Sequence, residues 1–122
     1  MSRGLRVTSG MLQGVSNRMA FLFQLDKYYL TEQWKHRRDE YLVKVGKLSE
    51  VSEHPAQVVH HINYTFKSIQ DFKNLELYGK EKDSQLLALT NAEHNVVHNE
   101  LQHVAHRTRL LLPTLKKYYN YI

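Results

Sequence analysis

The chain has 122 residues, 42% hydrophobic and 24% charged, the composition of one modest globular domain rather than of a disordered or fibrous chain. Seventeen Lys and Arg against twelve Asp and Glu leave a net charge of +5, a bias toward polyanionic partners, of which nucleic acid is the commonest. The absence of cysteine excludes disulfides, thiol catalysis and thiolate metal sites. No apolar run reaches the length of a membrane span, so no membrane association is expected.

Residues 1–25 carry Arg3, Arg6 and Arg18 without an acidic residue. A transit peptide has that composition, but a flexible basic arm, part helical from Gly14 to Leu25, is the preferred reading. Thr31 is an N-cap for a helix through Trp34, Arg38, Leu42 and Val45 that ends at Gly46. Trp34, Tyr41, Leu42 and Val45 share a face that would meet the core, while Lys35, Arg37, Arg38 and Lys44 stand around the rest. Residues 47–56 are polar, contain Pro55 and read as a loop. Gln57 to Asn63 sets β-branched residues around a His pair and reads as a short strand. Residues 64–83 are polar and lysine-rich, with one short helix expected from Ser68 to Leu77 and a turn at Gly79.

Gln85 to Leu89 reads as the second strand of a hairpin. Thr90 or Asn91 then caps a helix with Glu93 in its first turn, where a negative charge is favourable. That helix is expected to continue to Leu112 and stop before Pro113, with Val97, Leu101, Val104 and Leu111 on the arc of His98. The tail from Tyr118 to Ile122 is expected to pack back on the domain. The expected organisation is a basic arm at 1–25, a domain at 26–112 and a tail at 113–122. The fold class is α+β, mainly helical.

Four histidines carry the chemistry: His60 and His61 on the first strand, and His94 and His98 on the helix. Helical residues four apart lie about 40° apart in projection and about 6 Å apart along the axis, so both imidazoles can close on one metal ion. A strand-borne His60 would supply a third nitrogen and leave a coordination position open, as catalytic metal sites do. His61 points to the other side of the strand and remains as a candidate base, a role suited to an imidazole pKa near about 6.5. This set points to metal-dependent phosphodiester hydrolysis, the ion acting on a phosphate oxygen and on the leaving oxygen. His36, His54, His103 and His106 read as hydrogen-bonded core or exposed residues, and His103 lies about 180° around the helix from His94. A zinc protease built on His94 and His98 would need Glu immediately after the first His, and Asn95 stands there.

A strand with His-His, a hairpin return and a helix with His-x-x-x-His resembles the HNH, or ββα-metal, endonuclease family. Val59-His60-His61-Ile62 looks like the family's first segment, where a metal-binding Asp or His precedes the general-base His. Gln85-Leu86-Leu87-Ala88-Leu89-Thr90 resembles the middle segment, usually an Asn followed by an apolar strand, and His94 to His98 resembles the closing helix with the remaining ligands. The double-His form is similar to the nuclease domains of DNase colicins. Tyr28-Tyr29-Leu30-Thr31-Glu32-Gln33-Trp34-Lys35 and the basic helix after it look more like small bacteriophage HNH proteins, often encoded beside the packaging terminase. The resemblance covers about residues 28–100. It implies a ββα-metal core, a short β-hairpin packed on a helix, with flanking helices. It implies a metal-dependent DNA endonuclease or nickase, phage-associated in DNA packaging or processing, acting on double-stranded DNA in the cytoplasm of a bacterial host, with the terminase as a partner. One divalent ion (Mg, Mn, Ni or Zn) would sit on His60, His94 and His98, with His61 as base; histidine ligation suits the transition ions better than Mg.

Two positions depart from the family pattern. Many phage members hold a structural zinc with two Cys-x-x-Cys pairs, and Ser49, Ser52, Thr90 and Glu93 stand at the aligned positions. Hydroxyls and one carboxylate do not replace four thiolates on zinc. No structural zinc is therefore expected, and apolar packing with the cap at Thr90 must hold the hairpin against the helix. Gln85 stands at the usual Asn position; its extra methylene lets it orient His61 only with a shifted backbone, and Asn63, Asn74 and Asn91 are alternatives. Lys35, Arg37, Arg38 and Lys44, with Lys67 and Lys73, are candidate phosphate contacts, or else members of a solvated face. The rival reading is a catalytically silent DNA-binding or phage-assembly module that keeps the fold and histidines, favoured by the missing cysteines and by Gln85. An RNA-directed nuclease toxin is a third reading with no residue behind it.

Overall fold

The computed structural model describes residues 9–101 and 111–119 of the chain. Its elements run α1 (Ser9–Tyr28), α2 (Glu32–Lys44), β1 (Val58–His61), β2 (Leu86–Leu89), α3 (Asn91–Asn99) and α4 (Leu111–Tyr119), with short 3-10 turns at Ile69–Lys73, Leu75–Leu77 and Asp83–Gln85. The architecture is α+β and mainly helical. β1 and β2 pair antiparallel, Val58 opposite Leu89 and His61 opposite Leu86.

A lone two-stranded hairpin is marginal in water, and this one is held by burial on both faces. All four residues of β2 are fully buried. Successive side chains leave a strand on opposite sides. Leu86 and Ala88 therefore enter an aromatic core with Tyr28, Trp34, Tyr41, Phe66 and Phe72. Leu87 and Leu89 enter an aliphatic core with Ile62, Val97, Leu101, Leu111 and Leu115. Each leucine so buried contributes about 2 kcal/mol. The same alternation governs β1: Val59 and His61 face the aromatic side, and His60 faces α3.

Local signals set the helix starts. The Thr31 hydroxyl accepts the Trp34 N–H at 3.2 Å, and past the end of α2 Gly46 takes a φ of 74°. A capping box opens α3: Thr90 Oγ1 accepts the Glu93 N–H at 3.2 Å, and the Thr90 N–H donates to Glu93 Oε1 at 2.8 Å. Gly79, at φ 72°, lies so close to α2 that a Cβ there would stand 2.9 Å from the Gln33 carbonyl oxygen. Only glycine meets both demands.

Four expectations change. The helical part of the expected basic arm extends over Ser9–Tyr28, and its end joins the fold, because α1 turns Phe21, Leu25 and Tyr28 onto the aromatic core at helical spacing; residues 1–8 lie outside the described residues. The helix expected from Ser68 to Leu77 is two 3-10 turns that break at Asn74, whose side chain accepts the Glu76 N–H at 3.1 Å and competes with helical continuation. The helix expected to reach Leu112 ends at Asn99, where the Leu101 N–H closes back on the Val96 carbonyl at 3.0 Å; residues 102–110 of that span, with His103, Val104 and His106, lie outside the described residues, and Leu111 and Leu112 belong to α4. Pro113 ends nothing. It lies within α4, and Leu111, Leu115 and Tyr118 pack on the aliphatic core. Among the described residues no helix is long and apolar enough to cross a membrane.

Candidate metal centre

β1 delivers His60, 4% exposed, toward the first turns of α3, which carry a half-buried His94 and an exposed His98. One ring nitrogen of each lies within 4.8 Å of the others, and Nε2 of His94 and Nε2 of His98 are 3.0 Å apart. Two nitrogens bound to a tetrahedral ion at about 2.0–2.1 Å stand about 3.3–3.4 Å from each other. The helical pair therefore needs only a small rotation to share an ion, and His60 completes a group that could hold one. Burial, and secondarily the neighbouring His98, push the His94 pKa down to about 4. The ring is neutral at physiological pH, which is the ligating form.

His61, 6% exposed, points into the aromatic core, with the Trp34 ring centroid 4.5 Å away and that of Tyr64 5.3 Å away. Its Nε2 lies 2.8 Å from Glu81 Oε2. The Tyr28 hydroxyl donates to the same oxygen at 2.7 Å and receives the Gly79 N–H at 2.9 Å. The Arg37 Nε–H donates to the Glu81 backbone carbonyl at 2.8 Å. Glu81 is 4% exposed; burial pushes its carboxyl up, but the hydrogen bonds from His61 and Tyr28 outweigh it and hold the group below the ordinary range. The same burial, with Glu81 beside it, pushes the Tyr28 phenol upward, so it stays a donor. In the neutral tautomer that turns Nε2–H to the carboxylate, Nδ1 carries the lone pair. A cavity of about 350 Å³ opens beside these groups, with His60, His61, Asn63, Tyr64 and His98 in its walls.

Sequence reasoning misses Glu81. It is one acid in a lysine-rich stretch, and the only nearby signal is Gly79, whose close packing on α2 brings the segment in. Gln85 is engaged elsewhere. Its amide donates to Asn63 Oδ1 at 2.9 Å and accepts the Lys82 N–H at 2.7 Å, and Glu81 occupies the place beside His61 expected for it. Asn74 caps a 3-10 turn, and the Asn91 N–H donates to Gln57.

The basic face of α2 is largely spoken for. Arg37, 8% exposed, is a structural cation. Besides the Glu81 carbonyl it holds Asp83 at 2.7 Å and Glu40 at 2.9 Å, so its guanidinium is engaged within the domain rather than standing free as the phosphate contact expected. Lys44 pairs with Asp83, and Arg38 with Asp39 at 3.0 Å; Lys35 is half-buried, and His36 and His54 are exposed.

Ser49, Ser52, Thr90 and Glu93 converge. The Ser49 hydroxyl donates to Glu93 Oε1 at 2.5 Å and receives the Ser52 N–H at 3.3 Å, and the Thr90 N–H joins it on the carboxylate in the capping box. Burial pushes the Glu93 carboxyl up, but these hydrogen bonds prevail and hold it low. A buried hydroxyl–carboxylate knot thus ties the loop before β1 to the start of α3, a bond the capping threonine and apolar packing were expected to supply alone.

No protein-family model and no curated protein matches this chain. What the site can do rests on its own geometry.

Proposed function

We propose that the chain is a metal-dependent DNA endonuclease or nickase of the HNH type, with β1, β2 and α3 as its ββα-metal core. One observation carries this reading: three imidazoles from a strand and a helix meet at one point, while the next strand residue, His61, is held by a buried carboxylate and lines the same cavity. A divalent ion bound there would neutralise a phosphate oxygen and stabilise the leaving oxygen. His60, His94 and His98 are the residues to hold it, and their nitrogen set favours a transition ion over Mg. His61 takes the proton of the attacking water at Nδ1, and Glu81 stabilises the imidazolium that results. Tyr28 and Arg37 keep Glu81 in place. The +5 net charge supports a polyanionic substrate, and the phage packaging setting, with duplex DNA and a terminase as partners, is proposed on the resemblance.

The enclosure of His61 favours a second reading, a silent DNA-binding or assembly module of the same fold. Supercoiled plasmid incubated with metal-free protein and each divalent ion in turn separates the two. Open-circle product from the wild type and none from His61→Ala supports the enzyme. Metal-dependent binding without a cut supports the module, and neither cutting nor binding rejects both.

A further inference from the structure

We infer that the nucleic-acid strand is engaged through one unpaired nucleotide, whose base enters the cavity beside the histidines while a neighbouring phosphate rests on Arg18 and Lys67. This deepens the nuclease reading and rests on it for the identity of the polymer. The cavity, about 350 Å³, falls in the range of about 300–1,000 Å³ typical of small-ligand sites. Phe21 from α1 and Tyr64 from the segment after β1 form an aromatic wall, their ring centroids 6.3 Å apart. His60, His61, His98 and Lys67 also stand in its walls. A second hollow shares Phe21 and Lys67 with the first and adds Arg18, Ser68 and Gln70. The surface thus runs from the candidate metal centre to an aromatic recess and on to a cationic hollow. A strand of nucleic acid has that same alternation of charge and flat ring.

A duplex can fill this recess only where one nucleotide is unpaired. Its bases are stacked inside a convex rod, and a recess can receive a base only once it has left the stack. Free bases stack on aromatic side chains with little regard to sequence. The distribution of charge agrees: Arg18 and Lys67 are exposed and form no salt bridge among the described residues, whereas Arg37, Arg38 and Lys44 on α2 are paired with acids.

Fluorescence anisotropy on the full chain, metal-free in chelator, tests this with three labelled DNA probes of related sequence: a single strand, a blunt duplex, and a duplex with a one-nucleotide bulge. The single strand and the bulged duplex should bind more tightly than the blunt duplex. Phe21→Leu and Tyr64→Leu, which keep apolar volume but lose the ring, should weaken single-strand binding by about 5- to 150-fold, the loss of one base stack; Tyr64→Phe should keep it. Arg18→Gln and Lys67→Gln should each flatten the logarithmic salt dependence by about 0.7, and Arg38→Gln should not. Equal affinity for the blunt duplex, or ring variants that bind like the wild type, would overturn the inference. Phe21 also packs on Phe72, so if its variant unfolds, the contrast between Tyr64→Phe and Tyr64→Leu decides. The assay contains neither metal nor cleavage, so failure of the plasmid test would leave its outcome untouched.

Discussion

Replacing Glu93 by Ala should remove about 3–4 kcal/mol of stability at neutral pH, a large share of the about 5–15 kcal/mol that holds a domain together. The carboxylate, 2% exposed, accepts hydrogen bonds from the Ser49 hydroxyl and the Thr90 N–H. Each hydrogen bond to a charged acceptor is worth about 1.5–3 kcal/mol, and each donor left buried and unmet costs about 1–3 kcal/mol. Against that stands the cost of burying the carboxylate, several kcal/mol, so the net loss is well below the sum of the bonds. Glu93→Gln keeps the shape and one acceptor oxygen but loses the charge, and should cost about 1–2 kcal/mol. The variants should also differ in acid. The folded-state pKa of Glu93 lies below its ordinary value of 4.5, so its stabilisation is complete above that pH and is lost as pH falls through the folded-state value. The wild type should therefore lose more stability between pH 5 and pH 3 than Glu93→Gln does. Urea unfolding of the three proteins across that range reads both effects. A loss for Glu93→Ala within about 0.5 kcal/mol, the ordinary scatter of surface substitutions, or parallel acid profiles for wild type and Glu93→Gln, would refute the account of the knot.

His60→Ala, His94→Ala and His98→Ala should each weaken transition-metal binding beyond the about 10- to 100-fold that loss of a supporting partner costs. His61→Ala should leave binding near normal in calorimetric titration; the assignment fails if His61→Ala abolishes binding and His60→Ala does not. Glu81→Gln should lower kcat by about 100-fold with KM and metal affinity little changed; an unchanged kcat would mean that Glu81 does not position the base. NMR titration of metal-free protein should place the His94 midpoint near 4. The depressed value means that the stability gained by keeping this ring neutral is present above pH 6.5 and declines as pH falls toward 4; a midpoint above 6 would contradict the burial of the ring. Arg37→Ala should destabilise the fold by about 2 kcal/mol, since it strands the buried Glu81 carbonyl, with the salt slope of DNA binding unchanged. A flatter slope in a stable variant would return Arg37 to the DNA interface.

The parts of the site legible in the chain are those set by neighbours in sequence. Four-residue spacing puts His94 and His98 on one face of any helix that contains both, and Thr90 with Glu93 announces where that helix begins. Strand alternation sends His60 and His61 to opposite sides whatever packs there. The caps at Thr31 and Thr90 and the two apolar strands were readable for the same reason. Tertiary packing decided the partners. Glu81 meets His61 across 20 residues and Tyr28 across 53, and Ser49 meets Glu93 across 44. Arg37 reads as one more cation on a basic face until Glu81 and Asp83 are folded against it. A buried charge must find its counterpart or hydrogen bonds wherever the chain delivers them. That delivery depends on how α1, α2 and the segment after β1 close over the sheet, and no local pattern encodes it.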